Sequence, residues 1–300
     1  MSNRLDTNIA PILEIKDLAK IYGKGCQYCQ ESTGPGQETN ICRRCGSVVA
    51  CADISFDLYH DEILGIVGER GSGKSTLVRL LHFDYSVTSG QMYINLDDHG
   101  ADRFRGSGII SEYLTYKNLF DLNSFQKRQL RNSMMGIVYQ NPHLGLRMDI
   151  SSGGNVAERL IMAGWRNISG MRNRSLELLE KTEVPVERIA EPPRNFSGGM
   201  QQRVQIAKAL SNNPLIVFLD EVTTGLDLSV QARVLDLVRS LQRRLHLSMI
   251  VVSHDFGVIR LLTTRMMVMK YGRVVEEGLT DQILEDPQHP YTQILVSSQL

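Results

Sequence analysis

The stretch "ILGIVGERGSGKSTLVRLL", residues 63–81, decides the fold of this 300-residue chain. It opens on a short apolar run, Ile63 to Val67, of the kind that forms a buried strand. Gly68-Glu69-Arg70-Gly71-Ser72-Gly73-Lys74-Ser75 follows, and from Thr76 onward Leu77, Leu80 and Leu81 recur at helical spacing. This is G-x-x-x-x-G-K-[ST] in the strand–loop–helix setting that the motif requires. Its glycines let the backbone curl until successive N–H groups and a helix N-terminus face a phosphate. In that arrangement Lys74 reaches the β- and γ-phosphates of a nucleoside triphosphate, and the Ser75 hydroxyl ligates Mg²⁺.

Working outward, "PLIVFLDEVTTGLD", residues 214–227, supplies a second apolar strand, Leu215 to Leu219, that ends in Asp220-Glu221. A carboxylate at such a strand end can hold Mg²⁺, and the next one can orient or deprotonate an attacking water. Just before it, "NFSGGMQQRVQIAKAL" places Ser197-Gly198-Gly199 just ahead of a helix with apolar residues at Val204, Ile206 and Leu210. That is a second anion-binding helix N-terminus, with no second phosphate-loop motif to serve. Each chain is therefore expected to lend this loop to the nucleotide of another.

In this order the segments resemble the ABC-type ATPases, and the resemblance covers nearly the whole chain. Gly68 to Ser75, with Thr76 beside them, resemble the Walker A loop, and Leu215 to Asp220 the Walker B strand with Glu221 as catalytic carboxylate. Gln140 in "GIVYQNP" is similar to the Q-loop glutamine that senses Mg²⁺ and water. "FSGGM" resembles the signature loop, Gly225-Leu226-Asp227 the D-loop, and His254 in "MIVVSHD" the switch histidine. Tyr22 in "LAKIYG" resembles the aromatic that stacks on adenine. Two departures stand out: Val222 occupies the place of a usual proline, and Phe196 and Met200 replace leucine and glutamine in the signature loop. Neither removes a catalytic group.

The resemblance implies an α/β fold of the P-loop type: a strand-rich N-terminal subdomain, a RecA-like core and a helical subdomain over residues 141–200, all within one domain spanning 1–300. It also implies ATP and Mg²⁺ as ligands, ATP hydrolysis, and a head-to-tail pair of chains, identical or related, that clasps two ATPs. Within this superfamily, "NPHLGLRMDISSGGNVAERLIMAG", "FSGGMQQR", "LDLSVQARVLDLVR" and the ending "LEDPQHPYTQILVSS" resemble the ATP-binding subunits of the bacterial carbon–phosphorus lyase system. That implies an ATPase docked on a phosphonate-degrading core, which does not itself break the carbon–phosphorus bond. Since "HPYTQIL" also occurs in oligopeptide and dipeptide importer ATPases, an importer subunit for peptides or nickel, bound to a membrane permease, is the alternative. A repair-type nucleic-acid ATPase is a third reading. It fits poorly with one ATPase core per chain and with 33 basic against 33 acidic residues.

"CQYCQESTGPGQETNICRRC", residues 26–45, holds four of the five cysteines as two C-x-x-C pairs, Cys26/Cys29 and Cys42/Cys45. Four thiolates at this spacing form a closed structural Zn²⁺ site; an iron–sulfur cluster uses the same ligands, and reduced thiols need no ion at all. A metal there contributes roughly 10–16 kcal/mol toward ordering so small an excursion. Cys51 reads as a buried apolar residue. The N-terminus lacks a signal-peptide pattern and no apolar run reaches about 20 residues, so a soluble, cytoplasmic protein is expected. Elsewhere the pattern suggests strands over 12–65, an amphipathic helix over 228–246, a hairpin at Tyr271-Gly272, and a polar surface extension over 97–123.

Overall fold

The computed structural model describes residues 10–96 and 117–298. Two sheets organise it. The smaller is antiparallel and consists of β1 (Leu13–Tyr22), β2 (Val48–Leu58) and β4 (Ser89–Ile94) in the order β2-β1-β4. The larger holds β3 (Ile63–Val67), β5 (Met135–Val138), β6 (Ile216–Asp220), β7 (Ser248–Val252), β8 (Arg265–Lys270) and β9 (Arg273–Leu279). Its order is β5-β6-β7-β3-β8-β9, parallel throughout except for β9. β3, β6 and β7 are buried at every position. Strands covered on both faces must be apolar on both, which explains why they are rich in Ile, Val and Leu and do not alternate with polar residues.

Helices cover this sheet. α1 (Lys74–Leu81) leaves the phosphate loop, and α2 (Ser124–Met134) precedes β5 under an Asn123–Gln126 capping box. A helical lobe follows, made of α3 (Pro142–Gly145), α4 (Ser152–Met162), α5 (Ile168–Lys181) and α6 (Gly198–Ala209). α7 (Leu228–Leu245) buries Val234, Leu237, Val238 and Leu241 along one stripe, as an amphipathic period requires. α8 (Phe256–Leu262), α9 (Thr280–Glu285) and α10 (Pro290–Ser297) complete the described chain. Two apolar clusters divide the interior. One lies between the large sheet, the lobe and α7, and the other is shared by α1, the small sheet and the opposite face of the large sheet.

The turn at Tyr271-Gly272 has φ of 46° and 80°, the doubly left-handed form that suits a two-residue hairpin. One expectation is corrected. Most of the 97–123 stretch lies outside the described residues, but its end is not a polar surface. Leu119, Phe120 and Leu122 are buried in the second core, because Asn118 caps their short 3₁₀ turn and ties it to the backbone of β4 at Gly90 and Met92.

Candidate functional site

The strand order sets the site. β5, β6, β7 and β3 are parallel neighbours, so their C-terminal ends open along one edge, where open α/β sheets bind ligands. Gln140 follows β5, Asp220 ends β6 with Glu221 directly after it, His254 follows β7, and the phosphate loop follows β3. Residues up to about 190 positions apart in sequence thereby share one edge.

Within the loop, Gly68 and Gly73 have φ of 149° and 106°, and a Cβ on either would lie 2.2 Å from a backbone oxygen, of Met269 and Ala50 respectively. Both positions therefore demand glycine. Lys74 is buried, and its ammonium donates to the carbonyls of Gly68 at 2.7 Å and Glu69 at 2.9 Å. Burial lowers its pKa, against the pull of Glu221, Asp220 and Glu69. The Ser75 hydroxyl donates to Asp220 Oδ1 at 2.7 Å, and burial raises the Asp220 pKa. A hydroxyl and a carboxylate already in contact at a strand end are a donor pair that suits a hard cation such as Mg²⁺. Glu69, Arg70 and Gly71 stand exposed at the loop's mouth, and Ser72 is buried beneath it.

Glu221 is buried and holds φ at 49°, an unfavourable region for a side chain bearing Cβ. Three groups meet its Oε2: Gln140 Nε2 donates at 3.0 Å, the Thr224 hydroxyl donates at 3.3 Å, and His254 Nδ1 stands 3.3 Å away. Val222, in place of the expected proline, is buried in the core behind this turn.

Tyr22 lies at the end of β1 beside Thr76, its ring edge-on to Tyr85 with centroids 6.4 Å apart, and it remains 39% exposed. The remaining predicted residues stand elsewhere. Ser197 is exposed and caps α6 by accepting from Met200 N, and Gly198 and Gly199 form the first turn rather than preceding it. Asp227 caps α7, accepting from Val230 N at 3.0 Å and Ser229 Oγ at 2.7 Å. Gly199 packs on Val230, where a Cβ would lie at 2.4 Å, so the two caps are neighbours. Among the described residues, no hydrogen bond or ion pair joins Ser197–Gly199 to the phosphate loop.

Sequence reasoning missed several residues. Gln205, buried in α6, accepts from Tyr139 N and donates to Tyr139 O, both at 3.1 Å, while Gln202 donates to Gln140 O at 3.2 Å. The lobe thus holds the backbone that positions Gln140. The available signal was two amides three residues apart, aligned with the apolar stripe ending at Ala209. Tyr291, in the C-terminal "HPYTQIL", accepts from Glu69 N at 3.2 Å, and burial pushes its phenol up to about 12. Beside Gln140 a cleft of about 210 Å³ is lined by Tyr139, Leu144, Met162, Arg131 and Lys208 among others.

The four paired cysteines lie between β1 and β2, with their sulfurs all within 4.8 Å of one another. Sγ–Sγ separations are 3.6 Å for Cys26–Cys29, 3.7 Å for Cys26–Cys42 and 3.5 Å for Cys29–Cys45. No pair approaches the roughly 2.05 Å of a disulfide. A tetrahedron with metal–sulfur bonds of about 2.3 Å has edges of about 3.8 Å, so one ion fits these thiolates. A polynuclear cluster, with several atoms between its ligands, needs them farther apart. The Ser32 hydroxyl donates to the Cys42 sulfur, the first cause of a Cys42 pKa lowered to about 6. Cys51, fully buried on β2, is outside this group and has its thiol pushed up to about 12 by burial.

A phosphate loop, a strand-end acid pair, and a glutamine and histidine converging on the second acid define a nucleoside-triphosphate hydrolase built on an ABC cassette. The chain belongs to the ABC transporter family, whose model matches residues 51–224, and it is an ABC-type ATPase. Among its relatives, the phosphonates utilization ATP-binding protein PhnK of Escherichia coli is 45% identical over 83% of this chain and 91% of its own. The oligopeptide transport ATP-binding protein OppD of Bacillus subtilis is 34% identical over 97% of this chain and 72% of its own. A solved ATP-binding cassette, MJ0796, dimeric and bound to ADP and Pi, superposes with a TM-score of 0.70 at 26% identity, covering 89% of this chain and 98% of that one. No helix among the described residues is long and apolar enough to cross a membrane.

Proposed function

We propose that this chain is the ATP-hydrolysing subunit of a phosphonate-degrading carbon–phosphorus lyase complex, driving a conformational step there. The observation that carries the reading is the 45% identity to the phosphonates utilization relative over 83% of this chain, against 34% and 37% for two importer relatives. In this reading Tyr22 packs on adenine, and the loop amides with Lys74 hold the β- and γ-phosphates. Ser75, Asp220 and Gln140 would hold Mg²⁺, which neutralises phosphate charge. Glu221 takes the proton of the attacking water, and Gln140 and His254 fix its carboxylate toward the γ-phosphate. Ser197, Gly198, Gly199 and Asp227 act on the nucleotide of a second chain, which explains why they stand apart from this chain's own loop. Two copies, or this chain and a related one, then close on ATP and part after hydrolysis.

The partner surface is the cleft beside Gln140, rimmed by Leu144 and Met162, which are 58% and 56% exposed. A partner there senses the backbone that carries Gln140. Cys26, Cys29, Cys42 and Cys45 hold one structural Zn²⁺, supported by sulfur separations that suit a single ion. In the host cell, deleting the gene should abolish growth on a phosphonate as sole phosphorus source, with rescue by wild type and not by Glu221→Gln. Normal phosphonate growth accompanied by loss of peptide or nickel uptake, or co-purification of a membrane permease, would instead establish the importer reading. The long alignment to the oligopeptide relative favours that reading as second choice.

A further inference from the structure

The β8–β9 turn touches both the cysteine module and the phosphate loop. Gly272 N donates to Ser72 O at 3.0 Å inside the loop, and Gly272 O accepts from Ala52 N at 2.8 Å on β2. One residue on, the Arg273 guanidinium donates to Gln30 O at 2.7 Å, directly after Cys29, and pairs with Asp53 of β2. Gly34 lies against the same side chain, where a Cβ would come within 2.7 Å of Arg273 Nε. A second route runs through β2 itself. Val49 and Ala52 share a small apolar cluster with Cys29 and Cys42, while Ala50 O abuts Gly73 and Cys51 Sγ contacts Gly73 O.

That cluster comprises four buried residues with Ile21 and Cys26 against it, too little apolar surface to order the excursion between β1 and β2 on its own. Its order would therefore depend on the Zn²⁺ proposed to join its sulfurs. When the excursion loosens, Arg273 loses Gln30, and Val49 and Ala52 lose Cys29 and Cys42. Arg273, Val49 and Ala52 are chain neighbours of Gly272, Ala50 and Cys51, which touch Ser72 and Gly73, whose backbone must be preset for phosphate. Ordering left undone before binding is subtracted from affinity.

We infer that metal at Cys26, Cys29, Cys42 and Cys45 braces the phosphate loop through Arg273 and the Val49–Ala52 segment, so that metal and nucleotide bind cooperatively. The inference rests on the zinc reading and adds to it a consequence for the nucleotide. Linkage makes the effect reciprocal: nucleotide must tighten zinc by the factor by which zinc tightens nucleotide.

The test measures the Kd of a non-hydrolysable ATP analogue with Mg²⁺ on zinc-loaded protein and on protein stripped by chelator under reducing conditions. Metal content is read separately by elemental analysis. Wild type should weaken about 10-fold on stripping, within the usual range of such couplings, and recover with one equivalent of zinc. In Arg273→Ala, which keeps all four thiolates and the Val49–Ala52 route, stripping should change Kd less than in wild type, with zinc content before stripping still one per chain. A stripping effect as large as in wild type would remove Arg273 from the coupling. Because stripped protein could lose its fold, zinc affinity is also measured on loaded protein by chelator competition, and the analogue should tighten it about 10-fold. Equal zinc affinity with and without analogue, in protein carrying one zinc, overturns the coupling and leaves the zinc site standing. Absence of any stoichiometric metal overturns the zinc site, and the coupling with it.

Discussion

Gln140 Nε2 donates to Glu221 Oε2 at 3.0 Å, joining a residue after β5 to one at the end of β6 across 81 positions of sequence. The same oxygen lies 3.3 Å from His254 Nδ1. One carboxylate oxygen is thus flanked from two neighbouring strand ends, and in the proposed function this carboxylate activates the water that attacks the γ-phosphate. Replacing it by Gln keeps the shape and removes the base. Glu221→Gln should bind ATP like the wild type while turnover falls about 10²–10⁴-fold, the usual weight of general-base catalysis, as phosphate release measures. Comparable rates would remove Glu221 from this role.

Lys74 donates to two carbonyls of its own loop, so its ammonium is held within the curl that the proposed function assigns to the phosphates. Charge-assisted hydrogen bonds are worth about 1.5–3 kcal/mol. Lys74→Ala should weaken ATP roughly 10- to 100-fold in a calorimetric titration, with adenosine binding little changed.

Gln205 fills both backbone hydrogen-bonding groups of Tyr139, next to Gln140. Gln205→Leu would leave those groups unpaired, at a cost of about 1–3 kcal/mol. The thermal midpoint should fall by roughly 2–4 °C per kcal/mol, with ATP turnover lowered as well. An unchanged midpoint would mean that the lobe does not hold this backbone.

Glu158 of α4 accepts from Lys208 of α6 at 2.7 Å and from Arg147 at 2.7 Å. Burial alone would raise the Glu158 pKa, but Lys208 and Arg147 hold it below the ordinary value of 4.5. A carboxylate depressed in the folded state contributes stability that is present above that ordinary value. It is lost as pH falls through the lower, folded one. Glu158→Gln should therefore destabilise the protein at pH 7, and the gap to wild type should close as pH falls below about 4.5. Denaturant titrations across that range check it, and a gap independent of pH would contradict it.

What the sequence disclosed and what it withheld follow from the range of the interactions. The phosphate loop, Asp220-Glu221, and Ser197-Gly198-Gly199 are local: strand, turn and helix cap lie within a few residues, and composition reveals them. The Tyr271-Gly272 hairpin is readable for the same reason. Gln205 on Tyr139, Arg273 on Gln30 and Tyr291 on Glu69 span 66, 243 and 222 positions, and nothing near each residue in sequence announces its partner. Leu119, Phe120 and Leu122 were lost in a polar surrounding. Three apolar residues in a 3₁₀ turn have no amphipathic period, and only contact with β4 and the second core makes them interior.

In the proposed function two chains share each ATP, one lending the phosphate loop and the other Ser197-Gly198-Gly199. Light scattering of Glu221→Gln with Mg²⁺ and ATP, beside the doubly substituted Glu221→Gln, Ser197→Arg, tests it most directly. The first should double in mass on adding ATP and the second should not, although both bind nucleotide. Glu221→Gln that binds ATP yet stays a monomer, alone and with its native partners, would contradict it, as would a dimer indifferent to Ser197→Arg.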